Sequence, residues 1–172
     1  MRAKCVFLDR DGVLNAEPVS YYLYRPEDVQ VPAGVIEGLR RMKEAGYLLI
    51  VITNQAGVAK GLYGRQDVLR VHDHFQGLCG GLLDDIYFCP HHPDHSTNSL
   101  LRKPDSLMLE KAMAKYNIDS AVSWMVGDKE RDVQAGQKAG VNTIFLSNDT
   151  NTTNSTHHAT NFLMAADFVL NS

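Results

Sequence analysis

The chain has 172 residues, 44% of them hydrophobic and 22% charged, and its 17 basic and 20 acidic side chains give a formal net charge of −3. That length supports one core and no second, so a single domain over residues 1–172 is expected. The slightly acidic balance supplies no basic face for sequence-independent binding to nucleic-acid phosphate.

The longest apolar run, Tyr47 to Ile52, falls far short of the ~20 residues of a membrane helix. Asp9, Arg10 and Asp11 interrupt any amino-terminal signal sequence. The expectation is a cytoplasmic protein with no membrane or nucleic-acid partner, its thiols Cys5, Cys79 and Cys89 reduced.

In chain order, Cys5 to Leu8 is a short apolar run that stops at acidic residues, which reads as a buried strand. Gly34 to Gly46 follows with Val35, Leu39 and Met42 on one helical face, and Tyr47 to Ile52 is a second strand. A helix over Arg65 to Leu78 aligns Val68, Val71, Phe75 and Leu78. Strands at Ile86 to Phe88, Ser123 to Val126 and Asn142 to Leu146 alternate with helices at Asp105 to Tyr116 and Lys129 to Ala139. Segment 147–160 is polar and aperiodic, a loop in which His157 and His158 face solvent, and Asp167 to Leu170 reads as a last strand. Alternation of this kind predicts an α/β fold, a mostly parallel sheet wound on both faces.

In such a sheet, ligands bind beyond the carboxyl ends of the strands, and the reactive residues collect there. The first strand ends in Asp9-Arg10-Asp11-Gly12, the second in Thr53-Asn54-Gln55, and the strand at Met125-Val126 in Gly127-Asp128. Arg102-Lys103-Pro104 precedes a helix that reaches the same edge. Asp-x-Asp-Gly alone is compatible with a capped turn, but packing gives no reason to gather a third carboxylate, a lysine and a threonine beside it. Clustered carboxylates repel unless a cation neutralises them, and Mg²⁺ suits an all-oxygen set. Lys103, the Thr53 hydroxyl and nearby backbone amides suit a tetrahedral dianion. Neither Gly-x-x-x-x-Gly-Lys-Ser/Thr nor Gly-x-Gly-x-x-Gly occurs, so the two common nucleotide cradles are not supported.

Asp9-Arg-Asp-Gly-Val-Leu-Asn15, Thr53-Asn-Gln55, Arg102-Lys-Pro104 and Gly127-Asp-Lys-Glu-Arg-Asp132 resemble, in order and context, the four motifs of the haloacid dehalogenase-like (HAD) phosphatases. Arg25-Pro-Glu-Asp, Pro32-Ala-Gly-Val-Ile, the run from Thr53 to Gly61, and Cys89-Pro-His-His-Pro93 are similar to the branch holding D,D-heptose 1,7-bisphosphate and histidinol-phosphate phosphatases. The resemblance implies a three-layer, doubly wound Rossmannoid sheet. It further implies Asp9 as nucleophile, Asp11 as general acid and base, and Thr53 and Lys103 as stabilisers of the transferring phosphoryl group. Mg²⁺ would be held by Asp9, by Asp11 through its main-chain carbonyl, and by Asp128. Asn54, Gln55 and Arg102 are assigned to substrate contact. Asp132, one helical turn beyond Asp128, either orients Lys103 or a metal-bound water, or serves only as a first-turn acid.

About twenty residues separate Asn15 from the first helix, and one helix and one strand fill the interval after the second motif, so no cap domain is expected. Selectivity then falls to loops around Glu17 to Arg25, Ala56 to Gly64 and Cys89 to Leu101. The resembling families hold Zn²⁺ through Cys-x-His and a later Cys-x-Cys. Here Cys89 and His91 form the first pair, but Ser99 and Leu101 stand at the second. With His92 and His95 in the same short segment, zinc is not expected. The leading function is hydrolysis of the 7-phosphate of a heptose bisphosphate by a monomer; the alternatives are a histidinol-phosphate phosphatase, a polynucleotide 3′-phosphatase, and a catalytically silent phosphate-binding module.

Overall fold

Strand β1 (Cys5–Leu8) carries no polar side chain and is buried on both faces, as the central strand of a parallel sheet requires. Its residues divide by parity. Val6 and Leu8 enter one hydrophobic core, whereas Cys5 and Phe7 enter the other. Strand β2 (Leu48–Asn54) repeats the division, with Leu49 and Val51 on the first side and Ile50 and Ile52 on the second.

The first core is closed by α1 (Val35–Glu44), α2 (Arg65–Leu78) and α5 (Phe162–Leu170), through Leu39, Phe75 and Ala166 among others. The second is closed by α3 (Leu107–Tyr116) and α4 (Glu130–Ala139), through Leu109 and Ala135. Three layers result, as expected of a doubly wound fold. The computed structural model describes residues 2–18, 22–148 and 154–172. No cap domain is inserted among them, and no described helix is long and apolar enough to cross a membrane.

The remaining strands are β3 (Asp85–Cys89), β4 (Trp124–Gly127), β5 (Asn142–Leu146) and β6 (His157–Ala159). All pairings are parallel, in the order β3-β2-β1-β4-β5-β6. The chain winds outward from β1 through β2 to β3, then returns to β4 on the other side of β1. The crevice between the ends of β1 and β4 is therefore the topological switch point, where open α/β sheets place their ligands.

Three expectations for the carboxyl-terminal part are corrected. Asp167 to Leu170 is not a strand but the end of α5. The Asn161 side chain accepts from the Met164 N–H and starts the helix, and Phe162, Ala165, Ala166 and Val169 then fall on one buried face. The polar stretch 147–160 is not loop throughout, because His157–Ala159 forms the edge strand β6; residues 149–153 lie outside the described residues. Nor do the two histidines simply face water. The His157 ring is half-buried and stacks on Phe168 of α5 at 4.3 Å, with Trp124 5.6 Å away, and His158 lies 6.0 Å from Phe145. Aromatic partners brought in by α5 and β5 cover surface that a sequence window leaves bare. Cys5 and Cys79 are buried in the core.

Candidate active site

Asp9 leaves the end of β1 with its N–H still bonded to the Val126 carbonyl (3.0 Å), so the carboxylate emerges at the crevice on a rigid support. Its Oδ1 accepts from the Arg10 N–H at 2.8 Å and lies 3.0 Å from the Lys103 ammonium. Lys103 Nζ also donates to the Ile52 carbonyl (2.7 Å) and pairs with Asp132 Oδ1 (2.7 Å), with neither side chain of that pair exposed. Burial by itself would lower the Lys103 pKa, but Asp132 and then Asp9 outweigh it and hold the ammonium above its ordinary value.

Asp132 contacts both Lys103 and the first turn of α4. Oδ1 orients Lys103, while Oδ2 accepts from the Lys129 N–H (3.0 Å) and caps the first turn of α4. Burial, reinforced by Asp9 and opposed by Lys103, pushes its carboxyl up to about 6. Asp128, at the end of β4, pairs through Oδ2 with Lys129 Nζ at 2.8 Å, but its Oδ1 is buried with no partner. Burial is the main cause that pushes Asp128 up to about 7; the Lys129 hydrogen bond lowers it, and Asp9 and Asp132 raise it.

Oxygen atoms of Asp9, Asp128 and Asp132 lie within 4.8 Å of one another, the one group of three or more acidic, histidine or cysteine side chains among the described residues arranged to hold a metal ion. A hard divalent cation fits this donor set, since it would satisfy the partnerless Asp128 oxygen and relieve the crowding of charge. Gly12 permits the approach: at φ +88° it turns the chain beside Asp128, and a Cβ there would overlap the carboxylate.

The Asp11 side chain is not part of that group. Arg10, itself 2% exposed, forks onto it through Nε to Oδ1 (3.0 Å) and Nη2 to Oδ2 (3.1 Å), and Gln55 Nε2 adds a third contact at 3.2 Å. Arg10 Nη2 also donates to the Leu23 carbonyl, tying that residue to the site. Sequence reasoning missed Arg10; its one signal was a cation between two aspartates at the end of a buried strand. Thr53 is buried at the crevice floor, and its Oγ1 accepts from Gln55 Nε2 at 3.0 Å. Asn54 spends its carboxamide on Lys103, donating to its carbonyl (2.9 Å) and accepting from its N–H (3.0 Å), which clamps the 102–104 segment against β2.

These groups line a cleft of about 240 Å³. Asp9, Asp11, Thr53, Asn54, Gln55 and Arg102 all border it, so three separate segments, at or after the ends of β1, β2 and β3, bring these sequence-selected residues to one cleft. Lys60, Tyr22, Tyr63, Lys129 and Arg131 border it as well and were not singled out beforehand. Glu17, Tyr22, Lys60, Tyr63 and His92 come from the three loops expected to shape selectivity, of which residues 19–21 lie outside the described residues.

In the third loop, Cys89 is buried with Sγ 3.9 Å from the His91 carbonyl, and His91 lies 3.5 Å from Ser96 Oγ through Nδ1. His92 accepts from the Asp94 N–H and donates its own N–H to Ser96 Oγ, and the Leu101 N–H donates to Ser99 Oγ. Hydrogen bonds centred on Ser96 and Ser99 thus tie the segment together. Cys89 and His91 meet no third ligating side chain among the described residues.

The switch-point crevice with its carboxylates, buried lysine and threonine defines a phosphoric monoester hydrolase of the HAD-like class. Residues 100–172 match the HAD-hydrolase-like family. The chain is 40% identical over 154 residues to the D-glycero-alpha-D-manno-heptose-1,7-bisphosphate 7-phosphatase of Burkholderia mallei, a match covering 85% of this chain and 80% of that one. To the D-glycero-beta-D-manno-heptose-1,7-bisphosphate 7-phosphatase of Yersinia pestis it is 38% identical over 175 residues, covering 97% and 89%. Its fold is similar to the crystal structure of D,D-heptose 1,7-bisphosphate phosphatase from B. bronchiseptica complexed with magnesium and phosphate, with a TM-score of 0.87, 26% identity and 98% of each chain covered. The chain belongs to this heptose-1,7-bisphosphate 7-phosphatase family of HAD-like hydrolases.

Proposed function

We propose that the protein removes the 7-phosphate of a D-glycero-D-manno-heptose 1,7-bisphosphate through an aspartyl-phosphate on Asp9, with Mg²⁺ as cofactor. The observation that carries this reading is the asymmetry of Asp9. One carboxylate oxygen is held by Lys103 and the Arg10 N–H, while the residue borders the cleft and keeps its other oxygen for phosphorus. The names of the relatives and the crystal structure with magnesium and phosphate support the substrate class and the metal.

Asp9 attacks phosphorus and the bond to the sugar oxygen breaks. Asp11 gives that oxygen its proton, then takes one from the water that cleaves the aspartyl-phosphate and regenerates Asp9. Thr53 donates its hydroxyl proton to a non-bridging oxygen, and Lys103, held between Asp132 and Asp9, keeps the nucleophile oriented. Asp9, Asp128 and the main-chain carbonyl of Asp11 would hold Mg²⁺, whose charge offsets that of the carboxylates and the incoming phosphate. Lys60, Arg102, Lys129 and Arg131 give the cleft cationic walls suited to the second phosphate of a bisphosphate.

Phosphate release is measured with Mg²⁺ on heptose 1,7-bisphosphate, histidinol phosphate and a 3′-phosphorylated oligonucleotide. The expected outcome is preference for the heptose bisphosphate in kcat/KM, and preference for either other ester overturns the substrate assignment.

A further inference from the structure

Gln55 is 2% exposed and makes contacts at both ends of its carboxamide. Nε2 lies 3.2 Å from Asp11 Oδ2 and 3.0 Å from Thr53 Oγ1, and Oε1 lies 2.7 Å from the Tyr63 hydroxyl. A carboxylate only accepts, so the end of the carboxamide that faces Asp11 must be the nitrogen. The oxygen then faces Tyr63, and the phenol must donate. The second proton of Nε2 goes to Thr53 Oγ1, which leaves the threonine's own proton for another acceptor.

The phenol is itself held firmly. Its ring stacks on Tyr24 at 5.3 Å and 9°, meets Tyr22 edge-on at 6.0 Å, and lies so close to Gly57 that a Cβ there would overlap it. Burial pushes the phenol up to about 12, and it remains a donor at neutral pH.

The geometry points to Tyr63 as a positioning residue for the reaction: its hydroxyl locks the carboxamide of Gln55, which holds Asp11 for proton transfer and frees the Thr53 proton for phosphate. This role rests on the functions proposed above for Asp11 and Thr53. Without the phenol, the carboxamide loses the donor that sets its orientation, and the flipped form turns an oxygen toward Asp11. The aromatic cluster also reaches the mouth of the cleft, where Lys60 lies over the Tyr22 ring at 5.6 Å, so contact of substrate with this wall bears on the same relay.

Tyr63→Phe keeps the ring and its stacking and removes only the donor. The readout is kcat/KM on a sugar phosphate against kcat/KM on p-nitrophenyl phosphate, which stops at formation of the aspartyl-phosphate, because an alkoxide needs a proton from Asp11 to depart and p-nitrophenolate does not. The expected result is a loss of about tenfold on the sugar ester with a much smaller loss on the aryl ester. Gln55→Met reproduces the pattern, and Tyr63→Phe adds nothing in that background. Equal losses on both esters, or additive effects of the two substitutions, overturn the role. If the wild-type enzyme fails on heptose bisphosphate, the substrate assignment falls alone. The ratio is then taken with fructose 1,6-bisphosphate or histidinol phosphate, whichever is hydrolysed faster, and the same outcomes decide.

Discussion

Lys103 Nζ and Asp132 Oδ1 stand 2.7 Å apart with neither side chain exposed, and this buried pair aims the lysine at Asp9. Replacing one member of such a pair leaves a charge stranded in the interior. Asp132→Asn is expected to destabilise the fold by about 3 kcal/mol and to lower kcat at least tenfold. Urea denaturation and steady-state kinetics on the same preparation check both. Unchanged stability would mean that Asp9 and the Ile52 carbonyl suffice for the ammonium.

Asp9→Asn removes the nucleophile but leaves an oxygen that can still accept from Lys103 and the Arg10 N–H. Turnover should fall by about 10³-fold or more while the protein remains folded. Phosphate release together with circular dichroism tests this, and retention of wild-type turnover by the folded variant would eliminate the covalent route.

Asp128 and Asp132 are pushed up to about 7 and about 6, so the metal-free folded protein keeps protons there that the unfolded chain releases. Their contribution to stability is complete below about pH 4 and is lost as pH rises through those two values. The half-buried imidazole of His72, whose pKa is lowered by desolvation, changes in the opposite sense near its ordinary titration range. Asp128→Asn separates the two. Without metal, the wild-type melting temperature should decline between pH 5 and pH 8 relative to that of the variant, and added Mg²⁺ should abolish the difference in slope. Parallel pH profiles of the two metal-free proteins would contradict the assignment.

Gly12 sits at φ +88° with no room for a Cβ beside Asp128. Gly12→Ala is expected to cost about 1–2 kcal/mol from the backbone conformation alone. It should also weaken Mg²⁺ binding, because the Asp128 carboxylate must move aside. Denaturation curves and metal titration by calorimetry measure the two effects separately; wild-type affinity for Mg²⁺ in the variant would remove Asp128 from the metal site.

Much of the site was legible before folding because its residues stand at strand ends. A buried strand such as Cys5 to Leu8 has nowhere to carry a carboxylate except at its terminus, so Asp9, Thr53 and Asp128 announce a common edge once the sheet is parallel. Arg10 and Tyr63 were not legible. Each meets groups that only the fold brings to it, Arg10 the Leu23 carbonyl and Tyr63 the rings of Tyr22 and Tyr24, and no local pattern distinguishes them from solvated side chains.

The carboxyl-terminal region shows the same division. Asp167-Phe-Val-Leu170 suits either a strand or a helical turn when read alone, and the choice was made by the Asn161 cap together with the packing of Phe162, Ala165 and Val169 in the core shared with α1.

By itself, then, the sequence determined the alternation of strands and helices, the parallel sheet and the acidic, lysine and threonine residues at its edge, since hydrophobic periodicity and strand-end placement are local. Only the tertiary structure decided which donor each carboxylate meets. It turned Asp11 toward Arg10 and Gln55, left one Asp128 oxygen without a partner, and placed Asp132 on Lys103. Asp11 with Gln55 and Asp132 with Lys103 are joined over distances of about 3 Å between residues far apart in the chain, a scale that hydrogen bonding enforces and that periodicity does not encode.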